Sequence, residues 1–192
     1  MGTLFVDKLD PQSGTSLEIG SSGDTMTVPS GATFNVAGTL QSGGAAIANT
    51  PYFEAKMASN QTPTDATWTK LNYDTEIYDS ASAYDTSNYR YTPQTAGKYF
   101  CYLHVVFDTQ AVDKFHRAYA SIYKNGSGYK QSYFDAYDNY YLYGVTGTIS
   151  TVIDFNGSSD YIEPYCFFDI TSGNGRINNN DNSIFGAYKL IT

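Results

Sequence analysis

Apolar residues in this chain keep a two-residue period over most of its length, the spacing that lines up side chains on one face of a β-strand. The period is plainest in a phrase repeated between Gly14 and Leu40: Gly14-Thr15-Ser16-Leu17-Glu18-Ile19, Gly23-Asp24-Thr25-Met26-Thr27-Val28, Gly31-Ala32-Thr33-Phe34-Asn35-Val36 and a truncated Gly38-Thr39-Leu40. Each unit reads as a glycine turn followed by a short strand whose apolar pair, Leu17/Ile19, Met26/Val28 or Phe34/Val36, shares a face. Three such units present too little surface to fold alone, and short repeats bury their apolar face on neighbouring copies. The pattern therefore predicts a β-repeat stem packed through those six side chains. A Gly/Ala/Ser-rich linker from Gln41 to Thr50 completes a segment over 13–50. Upstream, Leu4, Phe5, Val6 and Leu9 would be costly to leave in water, so residues 1–12 are expected to dock as a strand on another chain.

From Tyr52 onward strand signals recur at regular intervals, near 53–58, 67–73, 76–79, 88–91, 98–107, 115–123, 129–133, 144–154, 160–168 and 184–190. No segment carries a sustained 3.6-residue apolar stripe. About ten short strands separated by turns predict an all-β antiparallel sandwich or barrel-like double sheet over 51–192. Asn125-Gly126 and Asn156-Gly157 each fall between alternating segments and predict type I′ hairpins, since both central residues of that turn need positive φ. In the 98–107 strand, Tyr99, Cys101 and Leu103 share one face, and Phe100, Tyr102 and His104 the other.

Composition sharpens the contrast between the two parts. All 19 tyrosines, nine of the 11 phenylalanines and the single Trp68 lie after Pro51, a β-protein composition. The net charge of −8 and the scatter of the 11 basic residues exclude nucleic acid as a partner, because phosphate binding needs clustered Lys and Arg. The opening residues lack a basic stretch followed by an apolar run, so no secretory leader is expected, and no stretch is long enough for membrane insertion. Cys101 and Cys166 either pair or stay as buried thiols; without a leader, free thiols are the expectation.

Little in the chain points to catalysis. His104 and His116 would approach each other if their strands formed a hairpin, yet a nucleophile and base also need an activated Ser or Cys and an orienting acid, and no Gly-x-Ser-x-Gly elbow exists. Glu54, Glu76 and Glu163 are too isolated to nominate as the paired carboxylates of a glycosidase. Metal-ligand spacings, phosphate loops and dinucleotide fingerprints are absent, and the carboxamide run Asn178-Asn179-Asn180-Asp181-Asn182 is too poor in charge for calcium, so no cofactor is expected. One segment has ligand-binding character: Tyr133, Asp135, Tyr137, Asp138 and Tyr140 combine rigid amphipathic rings with polar groups, as carbohydrate and protein contact surfaces do. These tyrosines either contact a ligand or pack on the sandwich or a subunit.

Five segments in order resemble the tumour-necrosis-factor-like jelly roll, most closely the globular domain of complement component one q. They are Pro51-Tyr52-Phe53-Glu54-Ala55; Tyr84-Asp85-Thr86-Ser87 with Tyr89-Arg90-Tyr91-Thr92-Pro93; Thr95-Ala96-Gly97-Lys98-Tyr99-Phe100-Cys101, with Cys101 at an aromatic position; Ala120-Ser121-Ile122-Tyr123-Lys124-Asn125-Gly126; and Ser183-Ile184-Phe185-Gly186-Ala187-Tyr188-Lys189-Leu190. The Gly-Asp pair before the family's second-last strand is replaced by Asn156-Gly157-Ser158-Ser159-Asp160, so no tip-loop ligand carries over. The stem is similar to sequences preceding such heads in marine phage virion proteins.

The resemblance implies a homotrimer, with Tyr99, Cys101, Leu103, Phe185 and Tyr188 divided between core and trimer interface. It further implies a non-enzymatic phage virion protein on the particle surface, assembled in the host cytoplasm. Its N-terminus would dock on the major capsid protein or another virion protein, as a capsid decoration, cement or head-fibre protein. A tail fibre binding host surface glycans and a secreted lectin-like or cytokine-like module are the alternatives.

Overall fold

The computed structural model describes residues 13–17, 19–42, 45–136 and 141–191. The expected docking residues Leu4, Phe5, Val6 and Leu9 lie outside them, as do Tyr137, Asp138 and Tyr140. The chain divides into two compact units, one ending at Ala46 and the other starting at Ile47.

In the first unit the glycine turns form but the strands between them do not. Gly14, Gly23 and Gly31 take positive φ, and the turns close with Asp24 N donating to Ser21 O and Ala32 N donating to Pro29 O. None of the described residues from 13 to 40 is in a strand. An extended segment needs a neighbour for its N–H and C=O groups, and among the described residues the repeats of a single chain do not supply one another with it. The six expected stem-packing side chains are accordingly in solvent, with Ile19 64%, Met26 60% and Phe34 57% exposed, and Leu17, Val28 and Val36 less so. The ladder that does form lies in the expected linker, where β1 (Gln41–Ser42) pairs with β2 (Ala45–Ala46).

The second unit is a two-sheet antiparallel jelly-roll sandwich. One sheet has the order β11-β8-β14-β3-β5, from Gly144–Phe155, Gly97–Asp108, Ile184–Lys189, Tyr52–Lys56 and Thr75–Asp79, with β13 (Arg176–Ile177) pairing β8. The other has the order β10-β9-β12-β7-β6, from Ser127–Asp135, Phe115–Lys124, Ile162–Ile170, Arg90–Tyr91 and Tyr84–Asp85, with β4 (Thr69–Lys70) pairing β12. Alternation fills the space between the sheets. Tyr99, Cys101, Leu103, Val105 and Phe107 of β8 face Ile162, Cys166 and Phe168 of β12 in one core. At one end of it Phe53 stacks on Tyr91 (4.1 Å) and Tyr84 (4.8 Å) and meets Phe185 edge-on (5.2 Å).

Asn125 (φ 51°) and Gly126 (φ 80°) form the expected tight turn between β9 and β10. Asn156-Gly157 does not make the second expected hairpin: it joins β11 of one sheet to β12 of the other. The Asn156 side-chain oxygen accepts from the backbone N–H groups of Ser158, Ser159 and Asp160, which folds the chain into a corner rather than a two-residue reversal. The sheet assignment also separates the histidines, since β8 and β9 belong to different sheets and do not form a hairpin.

Candidate functional site

Both sheets of the second unit carry aromatic side chains on their outer faces. On the β11-β8-β14-β3-β5 sheet these are Phe100 and Tyr102 from β8, Tyr188 from β14, Tyr52 from β3 and Tyr78 from β5. Gly186 sits between Tyr102 and Glu54 in the ladder register. A methyl group there would overlap the Tyr102 ring, so the glycine lets that ring lie flat across β14. The Tyr102 hydroxyl thereby reaches Glu54 and donates to its Oε2 at 2.5 Å. Burial, then the bond to Glu54, pushes the hydroxyl's pKa well up and keeps it a donor. Phe100 packs on Tyr188 (5.4 Å) and Tyr52 on Tyr78 (5.6 Å), around a depression of about 420 Å³ that Asn49, Thr50, Tyr52, Tyr78, Tyr102 and Tyr188 help to line.

The β10-β9-β12-β7-β6 sheet carries an aromatic belt. Tyr119 and Tyr123 of β9 and Tyr165 and Phe167 of β12 alternate with buried Ala118, Ala120, Ile122, Cys166 and Phe168. Cross-strand register stacks Tyr119 on Phe167 (5.4 Å, 18°), while Tyr123 stacks on Tyr165 (4.0 Å, 18°). Trp68, next to β4, tilts over both stacks at 5.7 Å from Phe167 and 6.0 Å from Tyr123. Tyr133 meets Tyr119 edge-on at 4.8 Å, and the Tyr119 hydroxyl donates to Asp135 Oδ1 at 2.5 Å.

Ion pairs flank the belt. The Glu163 carboxylate, 3% exposed, receives Lys70 Nζ at 2.6 Å and Arg90 at 2.8 Å. It thereby ties β4 and β7 to β12. Arg90 also lies over the Tyr161 ring at 3.8 Å. Asp169 receives Arg117 at 2.6 Å and His116 Nδ1 at 2.8 Å.

Of the residues expected at core or trimer interface, Tyr99, Cys101, Leu103 and Phe185 lie between the sheets, and Tyr188 lies half-buried on an outer face. Tyr133 and Asp135, expected in a ligand loop, sit on β10 beside the belt. Sequence reasoning passed over Trp68, Tyr119, Tyr123, Tyr165 and Phe167. Their signal was present: β9 and β12 are apolar or aromatic at odd and even positions alike, so an aromatic row had to point outward.

Among the described residues neither histidine is placed to activate Cys101. Strand alternation puts Cys101 inside and His104 outside, and His116 is held by Asp169 on the other sheet. Cys101 and Cys166 are free thiols whose pKa burial pushes well up, the reverse of nucleophile activation. Among the described residues no three His, Cys, Asp or Glu side chains converge on a metal position. The Asn178–Asn182 amides instead shape their own loop, with Asn178 and Asn180 capping backbone N–H groups two residues on, and Asp181 pairs with Lys56.

The fold is that of solved jelly rolls of the tumour-necrosis-factor type. Crystal structures of murine APRIL at pH 5.0, 8.0 and 8.5 superpose with TM-scores of 0.55, 0.54 and 0.51. Each covers 73% of this chain and 98% of its own at 11% sequence identity. No family model matches the chain, and no curated protein matches it in sequence.

Proposed function

We propose that this chain is a non-enzymatic structural protein of a phage particle, a homotrimer that decorates the capsid or forms a head fibre. Its N-terminal residues dock on the particle, its repeats interlock as a β-stem, and its jelly-roll heads project. The observation that supports this reading is apolar surface that a single copy leaves uncovered. Six stem side chains at two-residue spacing stand in solvent, and the β11-β8-β14-β3-β5 sheet presents a hollowed aromatic face. Three copies would close both surfaces: strands absent from a lone chain gain ladder partners, and Tyr52, Tyr102 and Tyr188 gain neighbours.

Light scattering on the purified chain tests the assembly, with three times the 21.1 kDa chain mass expected and a monomer at working concentration overturning it. Cryo-electron microscopy of the native particle with an antibody against this chain tests the location. Label over the shell fits decoration; label confined to one vertex makes the protein a tail fibre instead.

A further inference from the structure

From the belt of Trp68, Tyr119, Tyr123, Tyr133, Tyr165 and Phe167, we infer that the outer face of the β10-β9-β12-β7-β6 sheet is a binding surface for neutral pyranose glycans. It lies on the opposite side of the head from the face assigned to self-association, so the inference does not depend on the trimer or on the particle.

The chemistry of the face selects the ligand class. At its outward positions β9 carries Arg117, Tyr119, Ser121 and Tyr123, β12 carries Glu163, Tyr165, Phe167 and Asp169, and β10 carries Gln131, Tyr133 and Asp135, with Ser121, Glu163 and Asp169 buried beneath their neighbours. No aliphatic side chain stands among them. A pyranose has the complementary surface, an apolar C–H face edged by hydroxyls. Such a face buries well on an aromatic ring, and its hydroxyls need donors and acceptors at the ring's margin. The belt supplies that pairing repeatedly. Asp135 sits beside Tyr119 and Tyr133, and Arg117 and Asp169 sit beside Phe167.

Charge decides between neutral and acidic sugars. The cations of the face already hold carboxylates, Lys70 and Arg90 on Glu163 and Arg117 on Asp169, in a chain of net charge −8. A sialylated, sulfated or phosphorylated glycan would have to displace those partners against an unfavourable field. The rings are also preordered by their mutual stacking, so binding loses little rotamer freedom.

Trp68 is the single tryptophan of the chain, so its fluorescence reports on this face alone. The full chain is titrated with malto-, cello-, chito-, manno- and galacto-oligosaccharides, and with sialyllactose and heparin oligosaccharides. A saturable change in Trp68 emission is expected with at least one neutral series and with neither acidic probe. Tyr119→Ala and Tyr165→Ala should weaken that binding at least tenfold, by the loss of one stacking ring. Tyr119→Phe, which keeps the ring, should retain most of it, and Val112→Ala, in the exposed loop between β8 and β9, all of it. Unchanged light-scattering mass and thermal transition in the Ala variants separate a lost ligand contact from a lost fold. Silence with every neutral series, binding of acidic probes alone, or binding indifferent to Tyr119→Ala and Tyr165→Ala would each overturn the inference.

Discussion

Among the described residues four tyrosines with buried rings, Tyr73, Tyr84, Tyr91 and Tyr99, belong to the core, and removing one of their hydroxyls should stabilise the protein while removing any of the others destabilises it. Tyr73 donates to His104 O at 2.6 Å, Tyr84 to Tyr73 O at 2.6 Å and Tyr99 to Thr95 O at 2.8 Å. Tyr91 is fully buried, and its hydroxyl has no hydrogen-bond partner among the described residues. The Tyr91 ring stacks on Phe53 at 4.1 Å and meets Tyr99 edge-on at 6.2 Å, contacts that a phenylalanine keeps. Tyr91→Phe thus deletes only the buried polar atom, whose desolvation costs about 1–3 kcal/mol in proteins. Allowing for the dispersion lost with one oxygen, a gain of about 1–2 kcal/mol is expected. Tyr84→Phe breaks a well-made bond and strands a buried carbonyl, at a cost of about 1–1.5 kcal/mol. For a domain of this size each kcal/mol moves Tm by roughly 2–4 °C. Calorimetry at one fixed protein concentration, necessary if assembly contributes, should therefore rank Tyr91→Phe above the parent and Tyr73→Phe, Tyr84→Phe and Tyr99→Phe below it. A drop in Tm for Tyr91→Phe comparable to the drop for Tyr84→Phe would refute the reasoning, because it would mean that the hydroxyl is satisfied.

Gly157→Ala is expected to cost about 2–4 kcal/mol, read by denaturant unfolding, since its φ of 74° disfavours a side chain and a methyl group there would overlap the backbone of Thr95 and Ala96. The two thiols give an alkaline limit. Their ordinary pKa is 9.0 and burial raises it in the folded state, so the unfolded chain ionises first and stability falls as pH rises above 9, by up to about 1.4 kcal/mol per thiol per pH unit. Replacing both cysteines by alanine should lessen that decline in unfolding curves between pH 9 and 10, the remainder coming from buried tyrosines such as Tyr73, Tyr84 and Tyr91, whose raised pKa acts in the same direction. An unchanged slope would contradict the assigned burial.

The strand period predicted most of the sandwich, and β8, β9, β11 and β12 run close to their expected ranges because one face of each must be buried. Inward and outward faces were legible for the same reason: Tyr99, Cys101 and Leu103 against Phe100, Tyr102 and His104 follow from alternation alone. The aromatic belt was not identified, because Tyr119 and Tyr123 of β9 alternate with Ala118, Ala120 and Ile122, and alternation alone does not say which of two apolar rows covers the core. Assigning β9 and β12 to adjacent positions in one sheet decided that, by bringing Tyr119 onto Phe167 and Tyr123 onto Tyr165.

The sequence by itself determined the all-β class, the single rich core after Pro51 and the Asn125-Gly126 hairpin, since each depends on neighbours close along the chain. Only the tertiary structure decided that Asn156-Gly157 crosses between sheets, that His104 and His116 part, and that Gly186 opens a path for Tyr102 to Glu54. These depend on which strands lie side by side, and that is settled by the packing of the whole core, where two segments with the same alternation can belong to either sheet.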